Sequence, residues 1–106
     1  MHYAAGRKPR EAVSIARALD GFLAATGLSE RLRHSAVLRA WSEALGGALA
    51  RHARAVRFER GELFVEIDSA PHMHELSNYT GEQYRALANT LLGSEQIRHV
   101  HFQLKR

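Results

Sequence analysis

A run of basic residues followed by an aromatic residue is the clearest chemical signal in the sequence. The basic residues extend from a predicted helix end along a predicted strand to a turn: Arg51, His52, Arg54, Arg57 and Arg60. Phe64 follows on the next predicted strand, at the parity that faces away from a core. Cationic side chains that bind phosphates, next to a ring on which bases stack, are typical of sites for single-stranded nucleic acid.

Three further basic residues near the N-terminus, Arg7, Lys8 and Arg10, could add a basic arm to this candidate site. A second interpretation stays open. The arginines of the run could instead pair with the acidic residues of the same region, which are Glu59, Glu62 and Glu66. Phe64 would then pack under a terminal segment or a symmetry-related partner.

Two pairs of histidines have a spacing that metal sites use. His72 and His74 are two residues apart near a predicted helix start, and His99 and His101 are two apart on a predicted strand. Same-face imidazoles suit zinc or nickel, but no cysteine and no third ligand at a fixed spacing accompany either pair. We therefore expect exposed histidines, no metal and no cofactor.

Catalytic constellations are not found in the sequence. The serines fall where helix caps and solvent-facing positions need hydroxyl groups, and none has the sequence context of a nucleophile elbow. The clustered acidic residues, Glu59, Glu62, Glu66 and Asp68, belong to a solvated hairpin edge. We expect a binding protein and not an enzyme.

Length and composition are those of one small globular domain. The chain has 106 residues, 45% of them hydrophobic, and a formal net charge of +4. The basic excess lies in the first 60 residues, which favours contact with a polyanion. No apolar run approaches the roughly 20 residues that span a bilayer, and there is no cysteine. We expect a cytoplasmic protein with no membrane contact.

Alternating apolar residues predict three strands. Val56 and Phe58 mark the first strand, and the second has Leu63, Val65 and Ile67 on one face. Arg60-Gly61 would join them as a hairpin of open turn type. The third strand is marked by Val100, Phe102 and Leu104.

Apolar spacings of three and four residues predict the helices. After a flexible basic arm over residues 1–8, the first helix begins near Pro9 and ends at Gly27. Ser29 would cap a short turn, and Ser35 a second helix that ends at Gly46-Gly47 before one further turn. Beyond the hairpin, Ser69 and Pro71 begin a helical stretch that ends at Gly93; the spacing of Thr80 and Gln83 leaves open one kinked helix or two short ones.

These elements predict an α+β domain over residues 9–106, in the order α-α-β-β-α-β. The hairpin and the C-terminal strand would form a three-stranded sheet with the helices packed on one face. The predicted core consists of apolar residues from the helices and strands: Trp41, Leu45, Val56, Phe58, Leu63, Val65, Ile67, Leu76, Leu87, Leu91, Val100 and Phe102. The opposite, solvent-facing side would carry Arg57, Phe64, Glu66, His99 and His101.

A succession of short motifs resembles the bacterial DciA family of replicative helicase loaders or operators. The succession includes Trp41, Gly46, His52, the alternation from Gly61 to Ser69, Glu75-Leu76, Asn89, Leu92-Gly93, Ile97 and Phe102. The resemblance covers about residue 12 to residue 104. It implies a KH-like fold and a non-enzymatic role in DNA replication, with the replicative DNA helicase as partner and weak binding of single-stranded DNA.

Two other functions stay open from the sequence. One is a small KH-like protein that binds RNA or associates with the ribosome, and the other is a structural domain that self-associates. The chain has no Gly-x-x-Gly, the loop with which KH domains clamp a nucleic-acid backbone. Any nucleic acid would therefore bind to another surface. The sequence leaves the oligomeric state and the strand order open.

Overall fold

The computed structural model describes residues 27–106, together with residues 17, 18 and 21 of the first predicted helix, which are all helical. The predicted arm over residues 1–8 and the start of the domain lie outside the described residues. The chain divides into two compact units, Met1–Leu32 and Arg33–Arg106. The larger unit contains the whole sheet and carries the features that follow.

The first described helix is longer than the sequence predicts. Helix α1 runs without a break over Leu28–Leu45, so the separate turn capped by Ser29 and the helix start at Ser35 were wrong. No glycine or proline interrupts this segment, and helical hydrogen bonding therefore continues through both serines. Gly46 ends α1 with φ 84°, and the predicted further turn follows as helix α2, Gly47–Ala50.

The hairpin has the predicted position, and its turn type is now defined. Strands β1, Ala53–Glu59, and β2, Glu62–Ile67, pair antiparallel and are joined by two residues. Arg60 has φ 51° and Gly61 has φ 83°. Two positive φ values in a two-residue loop indicate a type I′ turn, whose twist matches that of the strands. Arg98 packs over Gly61, where a Cβ atom would collide with its guanidinium.

One irregularity interrupts the ladder between β1 and β2. Ala55 pairs with Val65 and Arg57 pairs with Phe64, which leaves Val56 without a partner, as in a β-bulge. Val56 is half-buried and is absent from the core cluster, so its predicted core position was wrong. The extra residue lets Ala53, Ala55 and Phe58 share the inner face.

The third strand completes a sheet in which β2 is central. Strand β3, His99–Leu104, pairs parallel with β2, and the order is β1-β2-β3. The helical cover connects β2 to β3 and makes this parallel pairing possible. The mixed α+β class and the element order are confirmed, and the arrangement is compatible with a KH-like fold.

The helical stretch after the hairpin is continuous but not uniform. Helix α3 spans Ala70–Glu75, a π-helical turn spans Leu76–Thr80, and helix α4 spans Gly81–Leu92. Ser69 caps α3 as predicted, by accepting from the backbone N–H of His72. A helix does begin at this predicted position, with Thr80 as the N-cap residue of α4, but the Thr80 side chain makes no capping hydrogen bond. Gly93 ends α4 with φ 78°.

The core is built around Trp41, which is 1% exposed. Its indole Nε1 donates to the backbone carbonyl of Ala53 at 3.1 Å, and its ring lies against Tyr84 and Phe102 at centroid distances of 6.4 and 6.0 Å. The other fully buried side chains around it include Leu63, Val65, Ile67, Leu76 and Ile97. Trp41 thus links helix α1 both to the sheet and to α4.

Several predicted core residues lie elsewhere. Leu45 is buried, and Phe58, Val100 and Phe102 are half-buried and pack against the core. Leu87 and Leu91, however, are 45% and 52% exposed, so their predicted burial was wrong. The side of α4 that faces the core instead buries Gly81, Ala88 and Asn89, while Tyr84 and Leu92 are partly buried and pack against the core.

A buried amide on that side fixes the approach to β3. Asn89 is 3% exposed; its Oδ1 accepts from the backbone N–H of Ile97, and its Nδ2 donates to the carbonyl of Ile97. Arg85 also donates to that carbonyl, at 2.8 Å. Ile97, two residues before the last strand, is therefore held by three hydrogen bonds from α4. Within the described part of the chain, no helix has the length and apolar character needed to cross a membrane.

Candidate nucleic-acid interface

The sheet face opposite the helices, called here the outer face, carries three rows of side chains that cross all three strands. The register aligns Glu59 with Glu62 and His99, then Arg57 with Phe64 and His101, then Arg54 with Glu66 and Gln103. The middle row contains the residues of greatest chemical interest. It combines a cation, an aromatic ring and an imidazole.

The side chains of the middle row form a continuous stack. The Arg57 guanidinium carbon lies 4.0 Å from the centroid of the Phe64 ring. The His101 ring stacks on Phe64 with a centroid distance of 4.8 Å and an interplanar angle of 15°. Because β1 and β3 flank β2 on opposite sides, Arg57 and His101 approach the ring from opposite sides. Phe64 therefore lies beside Arg57, as the sequence predicts.

This stack changes how the row can bind a base. Both sides of Phe64 are occupied, so a base cannot stack on this ring without displacing Arg57 or His101. The guanidinium of Arg57, held over the ring by a cation–π contact, keeps its outer side free for a base. Phe64 thus acts as a support that orients Arg57.

The bulge at Val56 decides which arginines share the outer face. Arg54 and Arg57 are three positions apart, and strict alternation would place them on opposite faces. Because the bulge adds one residue between them, Arg54 pairs with Glu66 and Arg57 with Phe64, on the same face. Both arginines are exposed. Two exposed cationic side chains therefore line the β1 side of the outer face.

Acidic residues reduce the positive charge of this surface. The three rows hold two arginines and three glutamates, so the face is slightly negative while its two histidines are neutral. Glu59 lies 3.7 Å from Arg57, and Glu62 lies 2.5 Å from His101 Nε2. The hydrogen bond from His101 lowers the pKa of Glu62, which stays ionised.

The remaining residues of the basic run do not all join this face. Arg51 and Arg60 are exposed near the two ends of β1, and the carbonyl of Arg60 accepts a hydrogen bond from Arg98. His52 instead contacts Asp68 and His72 beyond the far end of the hairpin. Arg7, Lys8 and Arg10 lie outside the described residues. Arg98 is a basic neighbour that the sequence pattern did not indicate, because no alternation marks the loop before β3.

A groove runs beside the free edge of β3. Its walls are formed by the π-helical turn, the start of α4 and the last strand, and they include Leu76, Gly81, Glu82, His99 and Phe102. Opposite, the edge of β1 is partly covered, because His34 accepts from the backbone N–H of Phe58 and Trp41 donates to Ala53. The β3 side is thus the more open border of the sheet.

Comparison with protein families gives one match. The family model described as Dna[CI] antecedent, DciA matches residues 14–102, which covers most of the chain and includes β1, β2 and the first four residues of β3. No curated protein matches the chain.

Proposed function

The chain belongs to the DciA family, and from this premise we propose that it is a non-enzymatic adaptor that binds the replicative DNA helicase and, weakly, single-stranded DNA. Membership of the family supports a helicase-loader-like role in DNA replication. The two specific partners are the proposal, and the outer face is the surface proposed for DNA.

The observation that carries the DNA part is the row of Arg57, Phe64 and His101 with Arg54 beside it. A single strand can place phosphates against the two arginines and one base against the exposed side of the Arg57 guanidinium. A duplex cannot do the same, because its bases are stacked on one another. The row therefore suits an unpaired strand.

Weak affinity follows from the charges of the same face. Each phosphate that approaches Arg54 or Arg57 also approaches Glu66 or Glu59, which repel it. The two arginines neutralise about two phosphates, and a single strand contributes a salt slope of about −0.7 for each phosphate neutralised. Binding should therefore be weak and should decrease as salt is added.

The first experiment measures the affinity for single-stranded DNA by fluorescence anisotropy over a range of salt concentrations. Arg57→Ala and Arg54→Ala should each reduce the salt slope by about 0.7. Arg39→Ala removes the same charge from an exposed position on α1 and serves as the control. Glu66→Gln should tighten binding. If Arg57→Ala and Arg39→Ala have equal salt slopes, the outer face is excluded as the DNA-binding surface. Tighter binding of structured RNA than of single-stranded DNA would favour an RNA-binding function.

The second experiment tests the helicase as partner by cross-linking and co-purification of the full chain with the replicative helicase. We expect a complex at micromolar concentrations, and we expect Arg57→Ala to retain it if DNA and helicase use different surfaces. The absence of a complex at these concentrations would reject the helicase as partner without affecting the DNA measurement.

A further inference from the structure

Three possible metal ligands from separate parts of the chain meet beyond the end of the hairpin. His52 precedes β1, Asp68 follows β2, and His72 lies in the first turn of α3. One ligand atom of each lies within 4.8 Å of the others. The spacing of His72 and His74 suggested a different pair, but His74 points to Asn78, with Nδ1 3.0 Å from the amide nitrogen.

The backbone brings these residues together. Ala53 pairs with Ile67 at the end of the ladder, and the next pair continues it, with the N–H of Asp68 donating to the carbonyl of His52 at 3.1 Å. Ser69 then caps α3, whose first turn carries His72 back over this pair. The positions are therefore fixed by a strand register and by a helix cap, and not by a mobile loop.

The side chains already contact one another. His52 Nδ1 lies 2.9 and 3.2 Å from the two carboxylate oxygens of Asp68. The rings of His52 and His72 stack with a centroid distance of 4.6 Å and an interplanar angle of 11°. Ser69 Oγ lies 2.6 Å from His72 Nδ1. A surface ion pair between His52 and Asp68 alone would need neither the imidazole of His72 nor the Ser69 hydroxyl that holds this imidazole.

We propose that His52, Asp68 and His72, called here the His52 cluster, bind a divalent transition-metal ion of the Zn²⁺ type. Two imidazoles and one carboxylate are a common zinc ligand set, and water would complete a tetrahedral shell. Ligand atoms about 2.1 Å from zinc lie about 3.4 Å apart in that geometry. The widest separation in the cluster must therefore close by at most about 1.4 Å from the 4.8 Å present.

One ring rotation is required to form the site. The lone pair of an imidazole nitrogen lies in the ring plane, so two parallel stacked rings cannot both point at one ion. His52, with 45% of its side chain exposed, is free to turn about χ2, a torsion with a broad energy minimum. His72 stays in place because Ser69 occupies its Nδ1, and its Nε2 is the nitrogen left for the metal. Such an outer hydrogen bond is usual for metal-binding histidines.

The experiment is a titration of the full chain, free of any histidine tag, with Zn²⁺ by calorimetry and with Co²⁺ by visible absorption. The wild type should bind one ion, and its melting temperature should rise with Zn²⁺. His72→Ala, His52→Ala and Asp68→Asn should each weaken binding at least about tenfold, the lower range of losses seen for outer-shell contacts. His74→Ala and His101→Ala, which remove histidines outside the cluster, should bind as the wild type does.

Two results would overturn the proposal. One is the absence of a saturable ion in the wild type, and the other is a loss of affinity in the control variants equal to that in the cluster variants. Neither helicase nor DNA is present in the titration, so its result is independent of the proposed function. His52 is exposed, and its replacement should leave the fold intact, which circular dichroism would verify.

Discussion

Replacement of Trp41 tests the packing on which the sheet and its outer face depend. Its ring is fully enclosed and touches Tyr84 and Phe102, while its Nε1 satisfies the carbonyl of Ala53 on the outer edge of β1. Truncation therefore creates a cavity and leaves a buried backbone acceptor without a partner. Both effects lower the free energy of unfolding.

The expected losses follow from these contacts. Trp41→Ala should cost about 3–5 kcal/mol, the usual range for large aromatic residues in cores. Trp41→Phe keeps much of the ring but removes the donor to Ala53, and an unpaired buried carbonyl costs about 1–3 kcal/mol. The cavity and the lost hydrogen bond to Ala53 arise at the same site, so their costs in stability do not add. A small domain has only about 5–15 kcal/mol of stability, so Trp41→Ala should remove a large part of it.

Urea unfolding followed by far-ultraviolet circular dichroism is the assay, because the variants lack the only tryptophan and its fluorescence. Tyr79→Ala is the control; Tyr79 is 66% exposed, and its loss should change stability by about 0.5 kcal/mol or less. A loss below about 1 kcal/mol for Trp41→Ala would contradict the position of the indole in the core. Equal stability of Trp41→Phe and the wild type would contradict the hydrogen bond to Ala53.

Two other predictions concern α4. Arg85 lowers the pKa of Glu82 below its ordinary value of 4.5 through a hydrogen bond, so this stabilisation is present above about pH 4.5 and is lost as the pH falls through the folded-state pKa. Glu82→Gln should flatten the acid limb of a stability-versus-pH curve, and an unchanged limb would contradict this pairing. Gly81→Ala should destabilise by about 1–3 kcal/mol in urea unfolding, because the added Cβ would collide with the carbonyl of Leu76 and lie 2.9 Å from the Phe102 ring. If Gly81→Ala instead stabilised the protein through the better helix propensity of alanine, the expected steric collision would be refuted.

The strands were predictable because their signals are local. Alternation identified β2 from Leu63 to Ile67, and a glycine at the turn identified the hairpin. The parallel pairing of β2 with β3 depends on where the intervening helices return the chain, which no local pattern encodes. The strand order therefore stayed open from the sequence, and the structure defines it as β1-β2-β3.

Helix α4 shows why regular spacing can mislead. The π-helical turn adds one residue to a turn, which rotates the following helix by about 100° relative to a continuous α-helix. The stripe that begins at Leu76 therefore continues through Ala88 and Asn89, and Leu87 and Leu91 turn outward. The sequence signal for this shift is Gly81, whose close contact with Phe102 only the packed structure reveals.

The bulge at Val56 is the feature on which both proposed sites depend. If β1 and β2 paired without the bulge, the register at Arg57 would continue unchanged toward the start of β1. Arg54 would then lie opposite Ile67 and face the core, and His52 would no longer lie opposite Asp68. The one unpaired residue instead places Arg54 beside Arg57 on the outer face and continues the ladder to the contact between His52 and Asp68. A single insertion in an edge strand thus sets the register of the row proposed to contact DNA at one end and of the His52 cluster, proposed to bind a metal, at the other. Alternation alone excludes both arrangements, which is why the site is harder to predict than the fold.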